Sequence, residues 1–200
     1  MGITSDLFAT EHDGTSGCAT AAARNSDTRM SAAAGINALS STEMVGIFGR
    51  FLAPPAPAKP TPGGAASSGY GKDLFANTGC GLRHTPSLTT GNSNVAALRN
   101  QSVHRYSDLA LQQMGPHLGD DIQQDAAAGD EFRSAPLWGL GQRIFFLHDG
   151  RTSDLAQAIE LQASRGDSKY GPSEAHAVLG LYKSLSPNDT QDLLNFRRAL

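Results

Sequence analysis

Long apolar runs are missing from this sequence. No stretch approaches the roughly 20 residues needed to cross a bilayer, so no membrane span is expected. Clustered charge is missing too. Lys and Arg number 16 against 19 Asp and Glu, for a formal net charge of −3, and no basic run or stripe occurs. That excludes nucleic-acid binding as a reading, because phosphate contacts need concentrated positive charge. Cysteine is scarce. Cys18 and Cys80 allow one disulfide in an oxidising compartment, but neither has a C-x-x-C partner, which argues against dithiol chemistry. No nucleophile–base pair or metal-ligand cluster is visible, so hydrolase readings fall away. The opening Met1-Gly2-Ile3-Thr4-Ser5-Asp6 has neither a basic nor an apolar signal region, and no secretory signal is expected there.

What is present is a loop-rich composition: 22 Gly and 10 Pro, with 39% hydrophobic residues. Such a chain gains stability when a metal or apolar cofactor fills its centre. Residues 1–40 lack periodicity and are expected to be irregular. Ser41-Thr42-Glu43-Met44 offers a cap, and Met44, Ile47, Phe48 and Leu52 share a helical face, predicting a helix near 41–52. The proline series from Ala53 to Pro62 marks an extended linker over 53–66. Beyond it, helices are expected at Gly71–Phe75, Tyr106–Gln113 and Leu155–Gln162, and from Pro172 through Tyr182. A last helix, capped by Ser186 with Pro187 at its first position, carries Leu193, Phe196, Arg197 and Leu200 on one face. The fold class predicted is all-α, with residues 67–200 as one helical domain with long loops.

One segment carries chemistry: Phe75-Ala76-Asn77-Thr78-Gly79-Cys80-Gly81-Leu82-Arg83-His84-Thr85-Pro86-Ser87-Leu88. A c-type haem attachment site reads C-x-x-C-H. Its two thiols add to the two vinyl groups, and its His sits under the iron. Here Cys80 and His84 have that spacing, but Arg83 stands at the second thiol position. The helix followed by Gly-Cys and His-Thr-Pro-Ser-Leu resembles the haem-binding segment of bacterial di-haem oxidoreductases. That family is related to di-haem cytochrome c peroxidases and is also described as thiol oxidoreductases. The resemblance continues through Ala97–Gln101, Tyr106–Leu111, Met114-Gly115-Pro116, Phe132–Gly141 and Leu147–Arg151, and into the terminal Leu-Ser-Pro helix. Even Met1–Thr4 and Phe48–Pro55 look like stretches that precede the second haem segment in this family.

The resemblance implies a cytochrome c-like haem domain at 67–200 and a periplasmic location. It also implies a larger N-terminal half, with the first haem and an export signal, that this chain lacks. His84 becomes the proximal ligand, and Cys80 the single thioether anchor of a haem c. Met114 becomes a candidate distal ligand, or else a core residue that stops a helix. Family members often carry a His where this chain has Gln162, so the usual sixth ligand is expected to be missing. Arg83 places a fixed charge at the porphyrin edge. His148, Asp149 and Arg151 are read as a turn, with a contact to substrate or haem as the alternative. Trp138 is read as a packing residue near the porphyrin; His12, His104, His117 and His176 are read as exposed. The function expected is electron transfer or peroxidase-like redox chemistry with a redox partner protein or small-molecule oxidant. The competing reading is a haem-free remnant or interaction module that keeps the helical fold.

Overall fold

The structure, a computed structural model, describes residues 41–123 and 126–200. The irregular stretch expected at 1–40, with Cys18 and His12, lies outside the described residues. The chain divides into two compact units. Helix α1 (Ser41–Arg50) and residues 120–129 belong to one; Pro54–Gly119 with Asp130–Leu200 forms the other.

Its frame is a helix pair, α2 (Gly64–Asn77) against α5 (Pro187–Ala199), joined by two short helices, α3 (Leu155–Glu160) and α4 (His176–Lys183). Helix α5 starts as its sequence dictates. Ser186 Oγ accepts from the Asp189 N–H at 3.2 Å, Pro187 occupies the first turn, and Arg197 and Arg198 lie in the last turn, where the helix dipole favours cations. Helix α3 is capped in the same way by Asp154, whose carboxylate accepts from the Ala156 and Gln157 N–H groups. Helix α2 instead begins at Gly64, inside the stretch read as linker, with no side-chain cap. Its Gly and Ser residues are poor helix formers, so packing on α5 decides its extent. Ser67 Oγ donates to Asp192 and accepts from Asn195 Nδ2 at 3.0 Å, tying the two helices together.

The crossing is tight at Gly71. A Cβ there would meet the Asp192 carbonyl oxygen at 2.1 Å and Phe196 Cβ at 2.8 Å. Backbone cannot move aside as a side chain end can, so Gly71→Ala should cost about 2–3 kcal/mol and lower the urea midpoint. A loss under about 0.5 kcal/mol would mean that the helices separate freely at this point. Around the crossing lies the core: Leu74, Phe75, Leu137, Leu140, Leu155, Ile159, Leu179, Tyr182, Leu193 and Phe196.

The all-α expectation is not met. Among the described residues five α-helices are accompanied by two small antiparallel sheets, and much of the unit is loop. Strand β1 (Leu88–Thr89) pairs with β2 (Ser102–Val103), and β3 (Leu111–Gln113) pairs with β4 (Glu131–Arg133). The helix expected over Tyr106–Gln113 is absent. Tyr106 and Leu109 have φ of 52° and 61°, which no α-helix tolerates. Ser107 Oγ donates to the Ser134 carbonyl and accepts from Leu109 N–H, while Asp108 accepts from Ala110 N–H. The two local bonds, with the long-range one to Ser134, outcompete the helix that hydrophobic spacing alone suggested.

Candidate functional site

The C-x-x-R-H segment leaves the end of α2 in a compact turn. Thr78 is buried and its hydroxyl donates to the Leu74 carbonyl at 2.8 Å, closing the helix; the same oxygen lies 3.3 Å from Cys80 Sγ. Gly79 adopts φ 84°, a left-handed conformation natural to glycine. A 3₁₀ turn, Cys80–Leu82, follows, and the His84 N–H donates to the Cys80 carbonyl at 3.0 Å. Cys80 carries a free, half-buried thiol.

The His84 imidazole is held from behind. Its Nδ1 lies 3.1 Å from the Tyr106 carbonyl oxygen. A carbonyl only accepts, so the proton sits on Nδ1, and in the neutral ring Nε2 keeps a lone pair. The ring is neutral because its pKa is pushed down to about 4. Desolvation is the main cause, followed by the nearby Arg197 cation, with a smaller effect from Arg83; the Tyr106 bond and Asp108 oppose them. Phe75, 6.4 Å from the imidazole centre, also contacts Tyr106 and Phe196 at 5.9 and 5.5 Å. This aromatic cluster fixes the backbone that orients His84.

His84 lines a crevice with two lobes. The first, about 370 Å³, is bordered by Cys80, Arg83, Ile159, Val178, Leu179 and Glu174, among others. The second, about 290 Å³, is bordered by Met114, Leu118, Leu137, Leu140, Phe146 and their neighbours. Arg83, His84, Gln112, Gln162 and Arg197 line both. Mostly apolar walls with a few polar groups are what an organic cofactor needs. No three His, Cys, Asp or Glu side chains converge as a metal site among the described residues, so His84 offers a one-nitrogen ligation of the kind haem iron takes from a protein.

Cys80 and His84 therefore border one lobe, and His84 and Met114 border the other. Met114 is buried, and its N–H donates to the Asp130 carbonyl. Gln162 is half-buried in the turn just beyond α3, and its amide donates to the Ala158 carbonyl of that helix at 3.2 Å. Arg83, at the position of the second thiol, reaches Glu174 at 3.7 Å. Trp138 borders neither lobe. His148 stacks on Phe132 with centroids 4.3 Å apart and is among the residues that border the second lobe. Asp149 accepts from the Arg151 backbone and side chain, and Arg151 also donates to the His117 carbonyl, so this pair stabilises a turn. His104, His117 and His176 are exposed.

Arg197 was missed as a site residue. It is buried, and its Nε has no hydrogen-bond partner. The signal was present in the sequence: an arginine on the apolar face of a helix that also carries Leu193, Phe196 and Leu200.

Residues 1–186 match the family described as "Di-haem oxidoreductase, putative peroxidase". No curated protein and no solved structure matches the chain. No helix among the described residues is long and apolar enough to cross a membrane. With its family signature spread over nearly all of its length and a His-bearing apolar crevice at the centre of that signature, the chain belongs to the di-haem oxidoreductase family.

Proposed function

We propose that this unit binds one haem c in the crevice beside His84 and serves electron transfer or peroxidase-like redox chemistry. The observation that carries the proposal is the His84 imidazole: neutral, with Nδ1 committed to the Tyr106 carbonyl and a lone pair left on Nε2. Hydrogen bonds from the far ring nitrogen to a carbonyl orient metal-binding histidines and raise their basicity. When bound, haem supplies the electron storage and the oxidant chemistry. His84 Nε2 would hold the iron, and the protein would add apolar walls that exclude water and fixed charge from Arg83 and Arg197. Cys80 would add its S–H across a single vinyl C=C, sulfur to one carbon and hydrogen to the other. Arg83 removes the second link, so attachment rests on one thioether, the His84 bond and burial. The partner is a redox protein or a small-molecule oxidant, and the location is periplasmic.

Gln162 is tied back to the Ala158 carbonyl of α3 and is a poor iron ligand, which leaves Met114, a weak thioether donor bordering the same lobe as His84, as the residue that would assist His84 in holding the iron. Ferrous protein matured with haem-attachment machinery should therefore bind carbon monoxide readily, shifting its Soret band. A low-spin spectrum inert to carbon monoxide would overturn the reading that no strong second ligand stands beside His84.

One observation favours a second reading, a haem-free interaction module. Arg83 stands where a thiol should be and already pairs with Glu174 across the first lobe. Absence of haem after full maturation would decide for that reading.

A further inference from the structure

The second lobe is unusual in its charge. Arg83, Arg133, Arg143 and Arg197 border it together with Ser134, and no carboxylate side chain does. Arg133 and Arg143 are exposed at its rim, whereas Arg197 is 5% exposed and Ser134 is 7% exposed. Both buried residues carry side-chain atoms without a hydrogen-bond partner, Arg197 Nε and Ser134 Oγ. Guanidinium groups stay protonated in proteins, and the acidic groups that face Arg197 are the Cys80 thiol and the Tyr182 phenol rather than a carboxylate. Buried polar groups are nearly always satisfied, and an exception needs a reason such as a missing ligand. A buried cation without a counter-charge is costlier still. Met114, Leu118, Leu137, Leu140 and Phe146 supply apolar wall, and His84, Gln112, His148 and Gln162 complete the polar lining.

We infer that the second lobe is a carboxylate-receiving subsite, in which Arg197 and Ser134 bind the acid group of a ligand with an apolar body. In the haem-bearing protein that group is a propionate, an assignment that rests on the haem reading above; a free aromatic carboxylate has the same chemistry. A carboxylate would accept from the guanidinium fork and the Ser134 hydroxyl together, supplying the buried cation with its counter-charge.

Iron-free protoporphyrin IX and its dimethyl ester separate this subsite from His84, because neither has iron to ligate. Titrated into the haem-free full chain and followed by quenching of Trp138 fluorescence, the diacid should bind at least about tenfold more tightly than the diester, as a charge-assisted pair warrants. Arg197→Met should bring the two within about twofold and, by removing an unpaired buried charge, should raise the melting temperature of the ligand-free chain. Ser134→Ala should narrow the preference by a smaller factor. Equal binding of diacid and diester by the unaltered chain would overturn the subsite, a comparison that needs no variant to fold; the His84 reading, tested with iron-loaded protein, would survive. If neither porphyrin binds but 2-naphthoate does, and Arg197→Met abolishes that binding, the subsite stands with a free carboxylate as its ligand and the haem source falls. Failure of all three ligands would remove the proposal.

Discussion

His84→Ala should strip most of the haem from the protein. The effect is cleanest in a Cys80→Ser background, where no thioether can mask it. There the iron–imidazole bond and apolar burial would be the main holding forces, and removing the bond should weaken retention by more than about a hundredfold, since even groups that only hydrogen-bond to a metal ligand matter by about 10–100-fold. Haem content per protein after desalting gives the measurement. Imidazole added to a His84→Gly variant should restore part of it, because the cavity and the Tyr106 carbonyl that orients the ring remain. Equal haem content with and without His84 would mean that the ring binds elsewhere or by another ligand.

The second large effect is acid sensitivity. In the folded chain the His84 pKa is about 4, against an ordinary value of 6.5. Between those values the unfolded chain binds more protons than the folded one, so stability falls as pH drops from 6.5 towards 4 and is fully present above 6.5. Over that window the haem-free chain should lose about 3 kcal/mol. His84→Gln keeps much of the side-chain volume without titrating, and urea unfolding of this variant should show a flatter profile between pH 6.5 and 4. Parallel profiles for the two proteins would show that burial of His84 is not what makes the fold acid-labile. The Arg197 cation is the second cause of the low pKa, so Arg197→Met should bring the folded and unfolded values closer, flatten the acid-linked loss and move acid unfolding to lower pH.

The Cys80 and His84 pair drew its meaning from the blocks around it, since a C-x-x-R-H string by itself is too short and too common to mark a site; that the two border one lobe is a property of the fold. Arg83 was legible as a departure. The neutral state of His84 was not. It depends on the Tyr106 carbonyl, on burial, and on a cation from α5, each brought in from a distant part of the chain.

Capped helices were also readable. Ser186-Pro187 and Asp154 mark α5 and α3 because a cap is satisfied by neighbours in sequence. Two other elements went against the pattern. Helix α2 extends back into poor helix formers because α5 packs on it at Gly71. The stretch from Tyr106 to Gln113 has helical spacing but ends as turns and a strand, because Ser107 and Asp108 bond their own backbone and β4 pairs with Leu111–Gln113.

The sequence by itself determined the family, the haem-type motif with its missing thiol, and the helix starts, since each is written in residues close together along the chain. The tertiary structure decided the mixed architecture, the tautomer of His84, and the isolation of Arg197 in a crevice with no carboxylate along its second lobe. Those outcomes turn on desolvation and on which distant groups meet, and neither quantity exists until the chain has folded.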